Sequence, residues 1–281
     1  MSETVVKLPK IAILGAGSMG RAILSGLLKP GVQVEGGIVV TNRSTERAAS
    51  LGHKDGVIAL ATEEDPEANR TAVSGAGIVL VAVKPAMVPD LLGEIADALS
   101  PDGIVVSVAA GVPLARFEEL LPESVGVVRT MPNTPALVGK AVTGLSAGAR
   151  STQEQLSLVR SLFETVGTVV EVPESQLDAL STISGSGPAY VYLLIEQLTA
   201  TAVDKGFSPE QAAELVNGTF VGAAALLEAS DATPTELRIQ VTSPKGTTER
   251  AIAVLQDADL KSVFDRATDA ALARARELAA G

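Results

Sequence analysis

Residues 11–20, Ile-Ala-Ile-Leu-Gly-Ala-Gly-Ser-Met-Gly, decide the fold. Four apolar residues read as a strand buried on both faces, and the pattern over 19–28 reads as a helix. Between them stand Gly15, Gly17 and Gly20. The first glycine permits a tight turn, the second lets backbone approach a pyrophosphate, and the third lets the helix pack on the strand. A glycine-rich turn without a ligand would carry the same residues; a strand before it and a helix after it favour a dinucleotide site.

Working outward, short apolar runs at 38–41, 78–83, 104–108 and 125–129 alternate with helical patterns at 45–51, 88–99 and 114–120. This is the rhythm of a parallel sheet with crossover helices. After residue 170 the strands stop. Helices are expected over 174–204, 209–229, 235–241, 247–255 and 260–280, which places a domain boundary near Val172-Pro173 and gives domains 1–172 and 173–281. The helical part is rich in Ala and Gly and poor in bulky side chains, so association with a second copy is expected.

Composition narrows the function. Against 22 Lys and Arg stand 33 Asp and Glu, and the net charge of −11 repels nucleic acid and anionic membrane surfaces. The absence of cysteine excludes disulfides, thiolate nucleophiles and cysteine metal sites; a single histidine, His53, excludes a histidine metal cluster, and no metal site is expected. His53 lies in the polar turn 52–55 and reads as exposed. Residues 1–10 contain Glu3 and lack the order of a signal peptide. The apolar runs are far shorter than the ~20 residues of a bilayer span, so a soluble cytoplasmic protein is expected.

A site for NAD would place a carboxylate about 20 residues beyond the glycines. Here the second strand ends in Thr41-Asn42-Arg43-Ser44-Thr45, with no carboxylate there to repel a phosphate. Arg43 and Ser44 suit a 2′-phosphate, favouring NADPH, with NADH as the weaker alternative. A helix cap at Ser44 followed by an exposed Arg43 is the competing account. Two further strand ends, Val83-Lys84-Pro85 and Val108-Ala109-Ala110-Gly111, face the cofactor in a doubly wound sheet. Lys84 either emerges at that cleft or caps a solvent-facing edge.

Five motifs together resemble those of pyrroline-5-carboxylate reductase, in order and spacing over nearly the whole chain. They are Gly15 to Gly20, Val81-Ala82-Val83-Lys84-Pro85, Arg129-Thr130-Met131-Pro132-Asn133-Thr134-Pro135, Ser184-Gly185-Ser186-Gly187-Pro188-Ala189-Tyr190 and Thr242-Ser243-Pro244-Lys245-Gly246-Thr247-Thr248. The first is shared by many enzymes; the last three together are specific. The resemblance implies an α/β N-terminal Rossmann-type doubly wound sheet followed by an all-α C-terminal dimerisation domain. It implies NADPH-dependent reduction of 1-pyrroline-5-carboxylate to L-proline, by a homodimer that often assembles as a pentamer of dimers. The cofactor contacts it implies are Ala16, Gly17, Ser18, Met19, Gly20, Ser44, Asn69, Val83, Lys84, Ala109, Ala110 and Gly111, to which the fingerprint and strand-end arguments add Gly15, Asn42, Arg43 and Pro85. The implied substrate contacts are Glu174 and the loop from Ser243 to Thr248, with Ser243, Gly246, Thr247 and Thr248 the candidates. Lys245 stands where the family usually has glycine, and Gln256-Asp257-Ala258-Asp259 replaces its usual pair of glycines. A positive φ at 245 would strain a lysine; the side chain otherwise strengthens anion binding or points to solvent.

Residue chemistry agrees with an imine substrate. Ketone or alcohol chemistry normally needs a placed proton donor or base, and the chain offers little of that kind. A cyclic imine is basic enough to be protonated before hydride arrives, leaving positioning and charge stabilisation to the protein. Amides opening the helix at 247–255 would hold the substrate carboxylate, and Thr248 would hydrogen-bond near the ring nitrogen. Gly185 and Gly187 would let backbone lie against substrate or nicotinamide, while residues 190–195 anchor it in a dimer core. For Ser186 and Tyr190 ordinary helix packing is the alternative, for Glu174 a helix-start carboxylate, and for residues 129–135 a stiff loop shaping the cleft. A β-hydroxyacid dehydrogenase is the enzymatic rival, weakened because no lysine precedes Lys205 in the helix after the glycine segment. A noncatalytic NADP(H)-binding regulator is the rival of another class.

Overall fold

The computed structural model describes residues 5–280, with side chains to 277; residues 1–4 of the stretch expected to lack a signal peptide lie outside it. The chain divides into two compact units, one comprising 5–186 with 272–280 and the other 187–271.

In the first unit the elements run β1 (Val6–Leu8), β2 (Ile11–Leu14), α1 (Ser18–Leu27), β3 (Val32–Val34), β4 (Ile38–Asn42), α2 (Thr45–Ala49), β5 (Val57–Ala61), α3 (Ala68–Val73) and β6 (Ile78–Val81). They continue with α4 (Val88–Ile95), β7 (Ile104–Ser107), α5 (Leu114–Leu120), β8 (Gly126–Met131), β9 (Ala141–Ala147), α6 (Gln153–Glu164), β10 (Gly167–Glu171) and α7 (Glu174–Leu180). Eight strands form one sheet in the order β10-β9-β8-β7-β6-β2-β4-β5, and β1 pairs with β3 separately. Every residue of β2, β6 and β7 is buried, as covering by helices on both faces requires. Alternate residues feed two cores. Ile11, Ile13, Ile78, Leu80, Ile104 and Val106 pack with Ile23, Leu24 and Phe163. Ala12, Leu14, Val79, Val81 and Val105 pack on the opposite face with Leu92, Ile95 and Phe117.

The structure adds to the expected rhythm. β1, β3, β5, β9 and β10, with α3 and α6, have no counterpart among the expected elements, and the β8–β9 junction is antiparallel while every other pairing is parallel. The runs at 78–83 and 104–108 stop as strands at Val81 and Ser107. Residues 83–84 and 108–111 are therefore loop beyond the strand ends, and Pro85 opens a short 3-10 turn. The helix expected over 174–204 is broken: α7 ends at Leu180, Ser181–Gly185 forms a π-helical turn, and helix resumes at Gly187. Pro188 supplies the cause. A proline lacks the N–H that would bond the carbonyl four residues back, and its ring crowds that carbonyl, here Ser184.

The second unit contains α8 (Gly187–Asp204), α9 (Pro209–Glu228), α10 (Pro234–Gln240), α11 (Thr247–Asp257) and most of α12 (Leu260–Ala280). α9 and α10 begin with capping boxes, Ser208 with Gln211 and Thr233 with Glu236. α8 packs on α9, and the Tyr190 ring meets Phe264 with centroids 6.2 Å apart. Residues 190–195, expected to anchor the backbone in a dimer core, are open on the single chain: α8 has no buried residue, and Val191, Tyr192, Leu193, Leu194 and Leu198 are exposed. So large an apolar surface is what an interface between subunits would cover.

Candidate functional site

The carboxyl ends of β7, β6, β2 and β4 lie side by side, and the loops leaving them carry the residues expected at the cofactor. At the end of β2 the three glycines differ in what surrounds them. Gly15 has φ +87, and a Cβ there would stand 2.8 Å from Val83 Cγ1, so only glycine fits. Around Gly17 no atom lies within 4 Å of a Cβ position, leaving the backbone open to a ligand, and at Gly20 a Cβ would sit 3.0 Å from the Gly15 carbonyl oxygen. The Gly15 and Ala16 amides donate to the Thr41 carbonyl at 3.1 and 3.2 Å, tying the loop to the end of β4. α1 starts after Gly17 with no side-chain cap. Its first amides, from Ser18 and Met19 onward, are free for a phosphate.

At the end of β4, Asn42 is buried with its Nδ2 unpaired, while Arg43 is exposed. Ser44 occupies the N-cap position of α2 without making a side-chain cap; instead the Thr45 amide donates to Glu63 Oε1 at 2.7 Å. The Thr45 backbone hydrogen bond holds the Glu63 carboxyl below its ordinary range, with Arg43 adding a smaller attraction. This corrects the expectation that no carboxylate stands near this strand end. Glu63 follows β5, which pairs beside β4, and the parallel register carries it alongside Arg43 and Ser44. Thr41 Oγ1 donates to Asn69 Oδ1 at 2.7 Å and Asn69 Nδ2 donates to Glu94 Oε2 at 3.3 Å, so Asn69 is fixed from both sides. Lys84 and Pro85 are exposed beyond β6, Lys84 leading into a short 3-10 turn, Pro85–Met87. Beyond β7, the Ala109 amide donates to Ser107 Oγ at 3.2 Å, Ala110 is exposed and Gly111 takes φ +77.

At the end of β8 the polar side chains turn inward. Arg129, 7% exposed, donates to Glu174 at 3.2 Å and to Asp178 at 2.8 Å. Glu174 Oε1 also accepts from the Leu114 amide at 2.7 Å. Glu174 is thus committed to α5 and β8 through one oxygen. Asn133 Nδ2 donates to the Ser184 carbonyl at 2.9 Å, and its Oδ1 accepts from the Val142 amide at 2.9 Å. The segment 129–135 therefore acts on neighbouring backbone and on α7.

In the second unit, Ser243 to Thr248 turn into α11, whose N-cap is Gly246 with no side-chain cap. The Gly246 amide returns to the Ser243 carbonyl at 3.0 Å, and the Lys245 amide already binds a carboxylate, Glu249 Oε2, at 2.9 Å. Thr247 is exposed and Thr248 half-buried. Among the described residues, no helix is long and apolar enough to cross a membrane. His53 is exposed in its turn.

The pyrroline-5-carboxylate reductase dimerisation family matches residues 174–278, and an NADP oxidoreductase, coenzyme F420-dependent, family matches 10–111. A pyrroline-5-carboxylate reductase of Mycobacterium tuberculosis is 40% identical over 96% of both chains, and one from Pseudomonas aeruginosa is 37% identical over 96% of this chain and 97% of its own. The chain belongs to the pyrroline-5-carboxylate reductase family. The solved reductase of Coxiella burnetii superposes with a TM-score of 0.88 at 37% identity, covering 95% of this chain and 97% of its own. That of Plasmodium falciparum, with NADP bound, gives 0.79 at 26% identity, covering 96% and 98%.

The two departures expected from the resemblance, at Lys245 and within 256–259, each hold a residue with unusual backbone geometry. Lys245 adopts φ 60 and Asp259 φ 44, the two positive-φ residues other than glycine among the described residues. Both backbones take the left-handed geometry that glycine adopts freely, and both residues bear its strain. At Asp259 the carboxylate offsets some of it, accepting from the Ser262 amide at 3.4 Å and the Ser262 hydroxyl at 2.5 Å. The first unit also fits NADP on its own chemistry: open backbone at Gly17, uncapped amides on α1, and a buried unpaired amide donor at Asn42.

Proposed function

We propose that this chain catalyses NADPH-dependent reduction of 1-pyrroline-5-carboxylate to L-proline, the last step of proline synthesis, with NADH a weaker donor. The observation that carries the proposal is the glycine loop at Gly15 to Gly20, folded against Thr41 and Val83 with Gly17 open, in a chain of this family. Backbone amides of Ala16 to Gly20 would hold the pyrophosphate, and Arg43 with Ser44 the 2′-phosphate. Asn42, Asn69, Val83, Lys84, Pro85 and Ala109 to Gly111 would line the rest. NADPH, when bound, supplies the hydride.

The chain's own residues then have three tasks. The loop from Ser243 to Thr248 binds the substrate carboxylate through the amides of Thr247 and Thr248 that open α11, with Ser243 and Gly246 shaping the turn through their own 3.0 Å bond. Thr248 hydrogen-bonds at the ring nitrogen, and Glu174 contributes its second carboxylate oxygen. As the imine carbon accepts hydride, the C=N π pair withdraws onto a nitrogen that already carries its proton. No side chain has to deliver a proton during the step, so the protein's contribution is orientation and a polar lining.

The domain boundary we place at Val172-Pro173, assigning 173–281 to substrate binding and dimerisation. The family match from residue 174 supports this, although α7 packs on β8 and β9 of the first unit. The active form we infer is a cytoplasmic homodimer, with dimers joining as a pentamer of dimers. The test is consumption of NADPH with pyrroline-5-carboxylate, followed by absorbance. Folded protein that binds NADPH and shows no turnover would remove the proposal.

A further inference from the structure

The π turn at Ser181–Gly185 is the one described break inside a helical run of this kind, and the segment beneath it explains how it is held. The Ser186 amide reaches back five residues to the Ser181 carbonyl at 2.9 Å, closing the wide turn. The Ser184 carbonyl has no helical donor available, because residue 188 is proline. Asn133, 7% exposed, supplies that donor from the loop after β8, at 2.9 Å. The α7 helix that leads into the turn is pinned by Arg129 of the same segment through Glu174 and Asp178. The turn lies at the carboxyl end of β8: a Cβ on Gly185 would come 3.5 Å from Met131 Cε and 2.9 Å from Ser181 Oγ. Thr130 in turn donates to the Ser107 carbonyl at 2.9 Å, at the strand end that precedes Ala109 to Gly111. Two separate motifs of the sequence, 129–135 and 184–188, are therefore one device.

We propose that Arg129 and Asn133 are positioning residues of the reductase reaction. They fix the π turn, and so place the Ser184-Gly185-Ser186 backbone against the reactants. This rests on the reductase reading of the preceding section. A hydrogen bond of ordinary strength suffices, since misplacing reacting groups by about 1 Å costs about a hundredfold in rate.

Two variants test it in the full-length protein. Asn133→Asp keeps the size of the side chain and the acceptor for the Val142 amide, and removes the donor to Ser184. Pro188→Ala restores the N–H that Ser184 lacks, inviting the turn to revert to α-helix while leaving Arg129 and Asn133 in place. Wild-type turnover of pyrroline-5-carboxylate is the control that separates failure of the reductase reading from failure of this one. With that control active, the expected result is a fall in kcat of about ten- to a hundredfold in both variants. The Kd for NADPH should stay within about twofold, and Pro188→Ala should melt no lower than wild type. If Asn133→Asp keeps full kcat, or if kcat in either variant falls only together with weaker NADPH binding, the positioning role is overturned; full kcat in Pro188→Ala alone means that Arg129 and Asn133 hold the turn without the proline, which supports it. Should Asn133→Asp fail to fold, Arg129→Lys, which keeps the charge beside Glu174 and Asp178 and loses the two-armed bond, decides in its place by the same readouts.

Discussion

Replacing Lys245 by glycine should stabilise the protein, which is the reverse of what most substitutions do. The Lys245 backbone sits at φ 60 with its side chain exposed. Left-handed geometry costs an L-residue roughly 1–2 kcal/mol, from the approach of Cβ to the following carbonyl. Glycine escapes that cost but loses about 0.5–1 kcal/mol more backbone entropy on folding. The Lys245 amide would still donate to Glu249, so nothing is withdrawn from the hydrogen-bonding account. The net gain is about 0.5–1 kcal/mol, which for a chain of this size raises Tm by about 1–3 °C. Thermal melts of the two proteins at one concentration would read it, equal concentration being needed because association shifts Tm. Asp259→Gly is the comparison: it relieves the same backbone geometry and forfeits both bonds to Ser262, so it should gain little or nothing. A Lys245→Gly protein that melts lower than wild type would refute the strain argument. With the lysine turned to solvent, KM for the imino acid should stay within about twofold, whereas a larger rise would mean that the ammonium attracts the substrate carboxylate.

Glu63→Gln should raise the preference for NADPH over NADH, because it removes a charge beside Arg43 and retains an acceptor for the Thr45 amide; the ratio of kcat/KM values reports it, and a fall would contradict the placement. Arg43→Ala should lower the same ratio, and an unchanged ratio would exclude Arg43 from the 2′-phosphate. Thr248→Ala should weaken use of pyrroline-5-carboxylate far more than binding of NADPH, checked by KM against a directly measured Kd; equal losses would remove the loop from the substrate site. Glu236, the capping-box carboxylate of α10, is held below its ordinary pKa by the Thr233 amide and then the Thr233 hydroxyl. A depressed folded pKa gives stability that is present above the usual carboxylate range and lost as pH falls from that range through the lowered folded value, so Glu236→Gln should flatten the decline of Tm on acidification below about pH 5.

The parts of the fold written locally were legible in the sequence. β2, with its buried alternation and glycine turn, and α5 at 114–120 follow from spacing alone. β9 and β5 were not legible for a different reason in each case. β9 carries Gly144 and Thr143 among small residues, and its glycine makes sense only once a Cβ there is seen to strike Leu180 of α7 at 2.7 Å. β5 reads Val-Ile-Ala-Leu-Ala, an apolar run as long as those of the central strands, and only the sheet order shows that it is an edge strand with Ile58 60% exposed. At the candidate site the glycine loop, Asn42 and Arg43 could be named from motif order. Glu63 could not, since only the β4–β5 register places it near Arg43. Nor could the role of Asn133, which depends on what Pro188 fails to donate more than 50 residues along the chain.

The buried polar side chains point to one economy of design. Thr41, Asn42, Ser107, Arg129, Thr130 and Asn133 all lie at the carboxyl ends of strands or just beyond them, and all are at most 7% exposed. Five of the six are already bonded inside the protein: Thr41 to Asn69, Ser107 to the Ala109 amide, Thr130 to the Ser107 carbonyl, Arg129 to Glu174 and Asp178, and Asn133 to Ser184 and Val142. They hold loops and leave the backbone to face ligands. An enzyme that had to move a proton would need some of these groups free to titrate at the reacting atoms. One whose substrate arrives protonated does not, and can use its polar residues to fix amides that bind phosphate and carboxylate. A chain of net charge −11 has further reason to rely on amides, which attract anions at short range only where their N–H groups converge. Of the six, Asn42 has a side-chain amide nitrogen without a partner, beside the loop where a dinucleotide would supply the missing acceptor.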